Sequence, residues 1–227
     1  MTFKQTLTAL CVSLALATPL AARADMPQTD VALLAQMDGQ SVPKQLLALE
    51  HYYALHVSEL DVQMKIEVRT GAFFALKRAK DSGDAATSSQ AQKAFDDAAA
   101  AVKVASAHNR QLRQRLFDDT DIDFADSLVM APDAPNTFAP AGDASADLVG
   151  AWENVQAARA VWSEARLNLL DVQDRYNNGE KVSVGDAMRA ITKAEVSLAR
   201  AAGAFRLARA SIAASRGTPI GDVLNGL

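Results

Sequence analysis

A single cysteine, Cys11, is the entire thiol content of the 227-residue chain. It lies inside an apolar run near the start, so no disulfide framework is available and stability must come from packing. Aromatic residues are also scarce, at 6% against 49% hydrophobic overall. The difference is made up largely by alanine, the best intrinsic helix former, which points to an all-helical protein. Charge of one sign is lacking too: a formal net charge of -4 leaves no basic footprint, and nucleic acid is excluded as a partner. The longest apolar run, Leu7 to Leu20, is too short to span a bilayer.

That run has a positive start at Lys4 and ends at Ala22-Arg23-Ala24, a small-residue cleavage site. The pattern predicts an exported protein whose signal peptide is residues 1–24 and whose mature chain begins at Asp25. Residues 25–42, with Pro27 and Gly39, read as an irregular lead-in.

Pro43, just after a capping Ser41, then opens a long helix that runs to Ser82-Gly83, about 39 residues or ~58 Å. Its apolar set is Leu46, Leu49, Tyr53, Val57, Leu60, Met64, Val68 and Phe74. A second helix, with N-caps offered by Thr87 to Ser89, runs to Phe117 and completes a first hairpin over 43–117. Its seam is Phe95, Ala98, Val102, Ala105, Asn109, Leu112 and Leu116, with Asn109 either a register-setting polar residue or, as the favoured reading, a rim position. Residues 118–146, acidic and bearing Pro132, Pro135 and Pro140, read as a loop.

A second hairpin occupies 147–216, followed by a tail over 217–227. Its first helix places Leu148, Trp152, Val155, Trp162, Leu169, Val172 and Tyr176 on an inner side and ends at Asn177-Asn178-Gly179. Ser183 caps the returning helix, with Asp186 three residues on in the place of a capping-box acid. That helix carries Ala187, Ile191, Ala194, Leu198, Ala201, Phe205, Ala208 and Ile212 at alternating spacings of four and three. Such a seam requires a partner helix along its whole length. The fold class is therefore all-α, with four main helices in two antiparallel coiled-coil hairpins.

Sites of chemistry are few. His51 and His56, five apart, stand about 140° from one another around a helix and form no metal pair by themselves. A copper or zinc site would need Glu59 or Met64 beside His56. Asp119, Asp121 and Asp123 alternate as a calcium loop begins, but Phe124 and Met130 stand where glycine and glutamate are required, so a solvated acidic linker is expected. Trp152 and Trp162 read as core or interface residues, and Glu180 and Lys181 as solvated turn charges. No phosphate loop, activated nucleophile or catalytic carboxylate pair is present, so neither an enzyme nor a cofactor is expected.

The stretch Arg175-Tyr176-Asn177-Asn178-Gly179, then Ser183, Asp186 and Ala190, Leu198 to Arg209 and Gly217, resembles the TolC-type outer-membrane efflux proteins. About 50 residues carry the resemblance. It implies a trimer whose long helices form a periplasmic tunnel, and a tip at Tyr176, Gly179, Ser183 and Asp186 that faces a periplasmic adaptor or transporter component. The turn is one residue longer than the family pattern, and 118–146 hold no pair of alternating ~10-residue segments that would make barrel strands. The expectation is a TolC-like helical region without a barrel, in the periplasm, with outer-membrane association as a further implication of the resemblance. A periplasmic helical bundle that binds a small ligand or metal is the second reading.

Overall fold

The computed structural model describes residues 30–122 and 145–225. Within them lie six helices: α1 (Asp30–Gln36), α2 (Val42–Ser82), α3 (Ala85–Thr120), α4 (Ala146–Asn177), α5 (Val184–Ser215) and α6 (Ile220–Asn225). The described residues contain no strand, and none of their helices is long and apolar enough to cross a membrane. The expected signal peptide over 1–24, its expected cleavage site and most of the proline-bearing loop lie outside the described residues.

Local chemistry sets the ends of the long helices. Ser41 is extended and leads into Pro43 in the first turn of α2, although its hydroxyl makes no capping bond. Gly83 closes α2 at φ 73°, a left-handed position that costs glycine little, and its N–H reaches the Lys80 carbonyl. The cap of α3 is Asp84, whose carboxylate accepts the Ala86 N–H at 3.0 Å, rather than Thr87 to Ser89. A two-residue connection leaves α2 and α3 no choice but to fold back on one another. Asp121, at φ 58°, ends α3 one turn beyond the predicted stop. Ser145 and Ser183 cap α4 and α5 through their hydroxyls.

The helices pack in the order α3, α2, α5, α4, each against its neighbour. Among the described residues α3 and α4 make no contact, so the four helices form an open array, not a closed bundle. The seams are thus satisfied within one chain: Ala98, Ala105, Leu112 and Leu116 bury against α2, and Ala187, Ala194 and Phe205 against α4. Asn109 is not a rim residue. It is buried, donates to Ser58 Oγ and to Glu59 (3.2 Å), and accepts from Arg113 Nε at 3.1 Å. Arg113 also pairs with Glu59. This cluster fixes the register of the first hairpin, because a slip of one turn would strand all of these groups half-desolvated.

The two hairpins join along α2 and α5 through a second face of α5 that the heptad reading missed. Thr192 donates to Glu67 at 2.9 Å. Arg189 leans over Gly71, where an added Cβ would lie 3.0 Å from its Nη1. Gly203 lets Tyr53 lie flat against the α5 backbone, since a Cβ there would meet the tyrosine at 3.0 Å.

At the end opposite the hairpin turns, α1 and α6 close the array. Leu33, Leu34, Met37, Ile220 and Leu224 pack with Leu49, Tyr52, Leu55 and Leu116 into one apolar cluster. The segment expected to be irregular is therefore partly helical, and so is the expected tail. Asp30, 6% exposed, anchors the cap. Its carboxylate accepts the Tyr53 hydroxyl at 2.6 Å and both Nε and Nη2 of Arg206. Burial opposes charge on Arg206, but the contact with Asp30 outweighs it and holds the guanidinium pKa above its usual value. Burial, then the nearby carboxylate, raises the Tyr53 pKa well above the usual tyrosine value.

Candidate functional site

The end away from that cap carries both hairpin turns. Contacts between α2 and α5 bring Gly71 beside Arg189 and Glu67 beside Thr192, so the turn after Ser82 and the turn after Asn177 stand at nearly the same height. The second turn is built locally. Gly179 takes φ 86° and donates to the Tyr176 carbonyl at 3.0 Å, while the Glu180 N–H closes on Arg175. Asn178, at φ -81°, is not left-handed, so glycine alone carries that role. Arg175 Nε grips Glu180 at 2.8 Å, which makes Glu180 an ion-pair partner of the turn rather than a free charge.

The four tip residues divide by role. Ser183 caps α5 through the Asp186 N–H. Asp186 pairs with Arg189, the residue that leans over Gly71, so its carboxylate helps hold the two hairpins together. Ser183 and then Arg189 hold the Asp186 pKa below the usual carboxylate value. Gly179 shapes the turn. Only Tyr176 presents a large surface: it is 59% exposed, not on an inner side, and with Gln173, Asn177 and Val184 it lines a shallow concavity of about 540 Å³.

Other exposed apolar residues lie near the same end. Phe73 and Phe74 stand edge to face with ring centroids 5.7 Å apart, both about half exposed, roughly ten residues or ~15 Å from the first turn. Phe74 and Val68, expected in the inner stripe, are therefore surface residues there. Met188 is exposed just past the α5 cap. Solvent-exposed aromatic and methionine side chains at one end of a helical array are what a partner surface requires. The signal missed in the sequence is the doubled Phe73-Phe74, because adjacent positions on a helix face different ways and cannot both be inner.

The residues considered for metal chemistry are not brought together. His51 Nε2 lies 2.7 Å from Asp119, which ties the end of α3 to α2 and takes Asp119 out of a free acidic linker. His108 is exposed. His56 is buried, and its Nδ1 has no hydrogen-bond partner among the described residues. No group of three histidine, cysteine or acidic side chains among the described residues could hold an ion. Trp152 stacks on Phe205 at 5.3 Å, and Trp162 donates to Glu195, whose pKa is raised by burial despite that bond and further by Glu67. Both tryptophans therefore serve the α4–α5 contact.

Burial pushes the His56 pKa down from 6.5 to about 4. A neutral imidazole in the fold and a protonated one in the unfolded chain make stability fall with acidity. The contribution is intact above pH ~6.5 and is lost as pH falls toward ~4. We expect about 2–3 kcal/mol to disappear between pH 7 and 4.5 from this group. Urea unfolding at both values measures it, and His56→Gln should flatten the dependence by that amount.

No family model, no curated protein and no solved structure matched the chain.

Proposed function

We propose that this is an exported periplasmic interaction protein that docks to an envelope transport assembly through the end carrying its two hairpin turns. The observation that carries the reading is the placement of Phe73, Phe74, Tyr176 and Met188, 47–59% exposed, near those turns, while α1 and α6 cover much of the opposite end, where Val42, Leu47, Phe117 and Val149 reach 37–43%. The turn motif resembling TolC-type efflux proteins supports the choice of an efflux or secretion assembly, with an adaptor or transporter component as the partner.

In this reading the apolar side chains supply affinity, and the turn geometry set by Gly179 and Ser183 supplies specificity. Asp186 belongs to the scaffold of the tip, so a substitution there would report on hairpin joining as well as on docking. Tyr176 is the cleaner probe. A photo-crosslinking residue in place of Tyr176 should capture a component of an envelope transport system in living cells. The same residue in place of Lys193, on the exposed side of α5, should not. Equal capture from both positions, or none from Tyr176, would overturn the tip assignment.

A further inference from the structure

Helix α2 ends in a stretch unlike the rest of an acidic chain. Residues 68–80 carry four basic side chains, Arg69, Lys77, Arg78 and Lys80, and no acidic one, whereas the chain as a whole has a net charge of -4. The same stretch holds Phe73 and Phe74, 49% and 53% exposed. Lys77 and Lys80 follow Phe73 by one and two helical turns, and Arg78 follows Phe74 by one, so each ring has cations beside it. These three cations are exposed, while Leu76 and Ala79 between them are buried. One flank is supported by α3, where Phe95 lies 6.1 Å from Phe73 and Gln92 accepts from Lys80 at 3.4 Å. The other flank is open. Arg189 lies over Gly71 and α5 begins five residues earlier, at Val184, which puts its start level with about residue 76 of α2. The last turns of α2 therefore run past α5.

Among the described residues no carboxylate pairs with Arg69, Lys77, Arg78 or Lys80, so their charge is not cancelled. The acidic residues nearest along the chain are Glu67, which accepts from Thr192, and Asp81 and Asp84 at the turn, where Asp84 caps α3. We propose that this surface lies against a membrane carrying anionic lipid, with the phenyl rings among the headgroups and the cations on lipid phosphates. An exposed ring sheds water there without needing a shaped pocket, and long lysine side chains reach phosphates without a fixed geometry. Protein interfaces are depleted in lysine, yet two of the three exposed cations here are lysine. Each cation close to an anionic surface strengthens association about fivefold, so the contact is reversible and sensitive to salt. It uses no residue of the second hairpin and is independent of the protein partner docked at Tyr176.

The test uses the chain from Asp25 onward, the form that cleavage of the expected signal peptide leaves, so that the apolar run of residues 7–20 does not itself bind lipid. Vesicles of phosphatidylcholine and phosphatidylglycerol in equal parts should carry the protein in flotation, and vesicles of phosphatidylcholine alone should not. Lys77→Gln with Lys80→Gln should weaken binding about twentyfold, and raised salt should weaken binding of the parent. Phe74→Ala should weaken it several-fold with the salt dependence unchanged, which separates insertion of the ring from charge alone. Both variants alter exposed side chains, and unchanged helix content by circular dichroism shows that the fold is kept. Tyr176→Ala should float as the parent does, so the lipid contact and the tip assignment fail separately. Equal binding to both kinds of vesicle, or full binding by the lysine variant, would overturn the proposal. So would an absence of vesicle binding together with capture of an acidic protein by a photo-crosslinking residue in place of Phe74, which would give the surface to that protein.

Discussion

Replacing Arg206 with methionine should lower the stability of the chain by about 3–5 kcal/mol. The reason lies in what is left behind. Asp30 is buried at the start of α1, and its two carboxylate oxygens are held by Tyr53, by two nitrogens of Arg206 and by the Val31 N–H. Without the guanidinium the carboxylate keeps the Tyr53 hydroxyl and the Val31 N–H but loses its counter-charge, and an uncompensated buried charge is far costlier than a missing bond. The chain relieves this by releasing α1, which uncovers Leu33, Leu34 and Met37 and opens the apolar cap. Urea unfolding should show the full loss, and hydrogen exchange should show α1 and α6 opening before the rest. The double replacement Asp30→Leu with Arg206→Met should recover most of the loss, because an apolar pair in the same space needs no charge balance. A single variant within ~0.5 kcal/mol of the parent would show that the clasp does not hold the cap.

Phe205→Ala should be comparably damaging, at about 3–5 kcal/mol, but at a different place. Phe205 is 2% exposed, stacks on Trp152 and lies under Arg209. On the α4 side only Val155 is fully buried, so this helix has little else to hold it. Removing the ring leaves a cavity where Trp152, one of the two tryptophans that anchor α4, packs on α5. Amide exchange in α4 should therefore rise more than in α2 or α3, whose contact rests on several leucines and the Asn109 cluster. Leu167→Ala on the same helix, where the side chain faces solvent, should cost no more than ~0.5 kcal/mol in the monomer.

These two sites also show where sequence reasoning stops. The four long helices, their turns and the inner seams are visible in the chain because heptad spacing and capping residues are local signals. The Phe205 seam is of that kind. Arg206 is not: it is one residue further round α5, and its partner is 176 positions away. The second face of α5 interleaves Thr192, Gly203 and Arg206 with apolar residues, which hides its period. Helix α2 misleads for a related reason. It serves two neighbours on different sides, so a single stripe through Val68 and Phe74 names positions that neither neighbour covers. For Asn109 the phase of a single helix, uncertain by a residue, cannot separate rim from register position, and only Ser58, Glu59 and Arg113 make it a satisfied interior group. At the tip, the turn residues were legible by type. Their roles were not, since only the fold brings Asp186 to Arg189 and Arg189 to Gly71.

The most direct test is the distance between the two outer helices. Spin labels at Lys103 on α3 and Glu164 on α4, with labelled chains diluted in unlabelled ones, measure it within a single copy. Three helix-to-helix spacings of 8–10 Å put the labels ~24–30 Å apart in the open array. A separation of ~10–15 Å would mean that α3 packs against α4 and that the bundle is closed, which would contradict the open array.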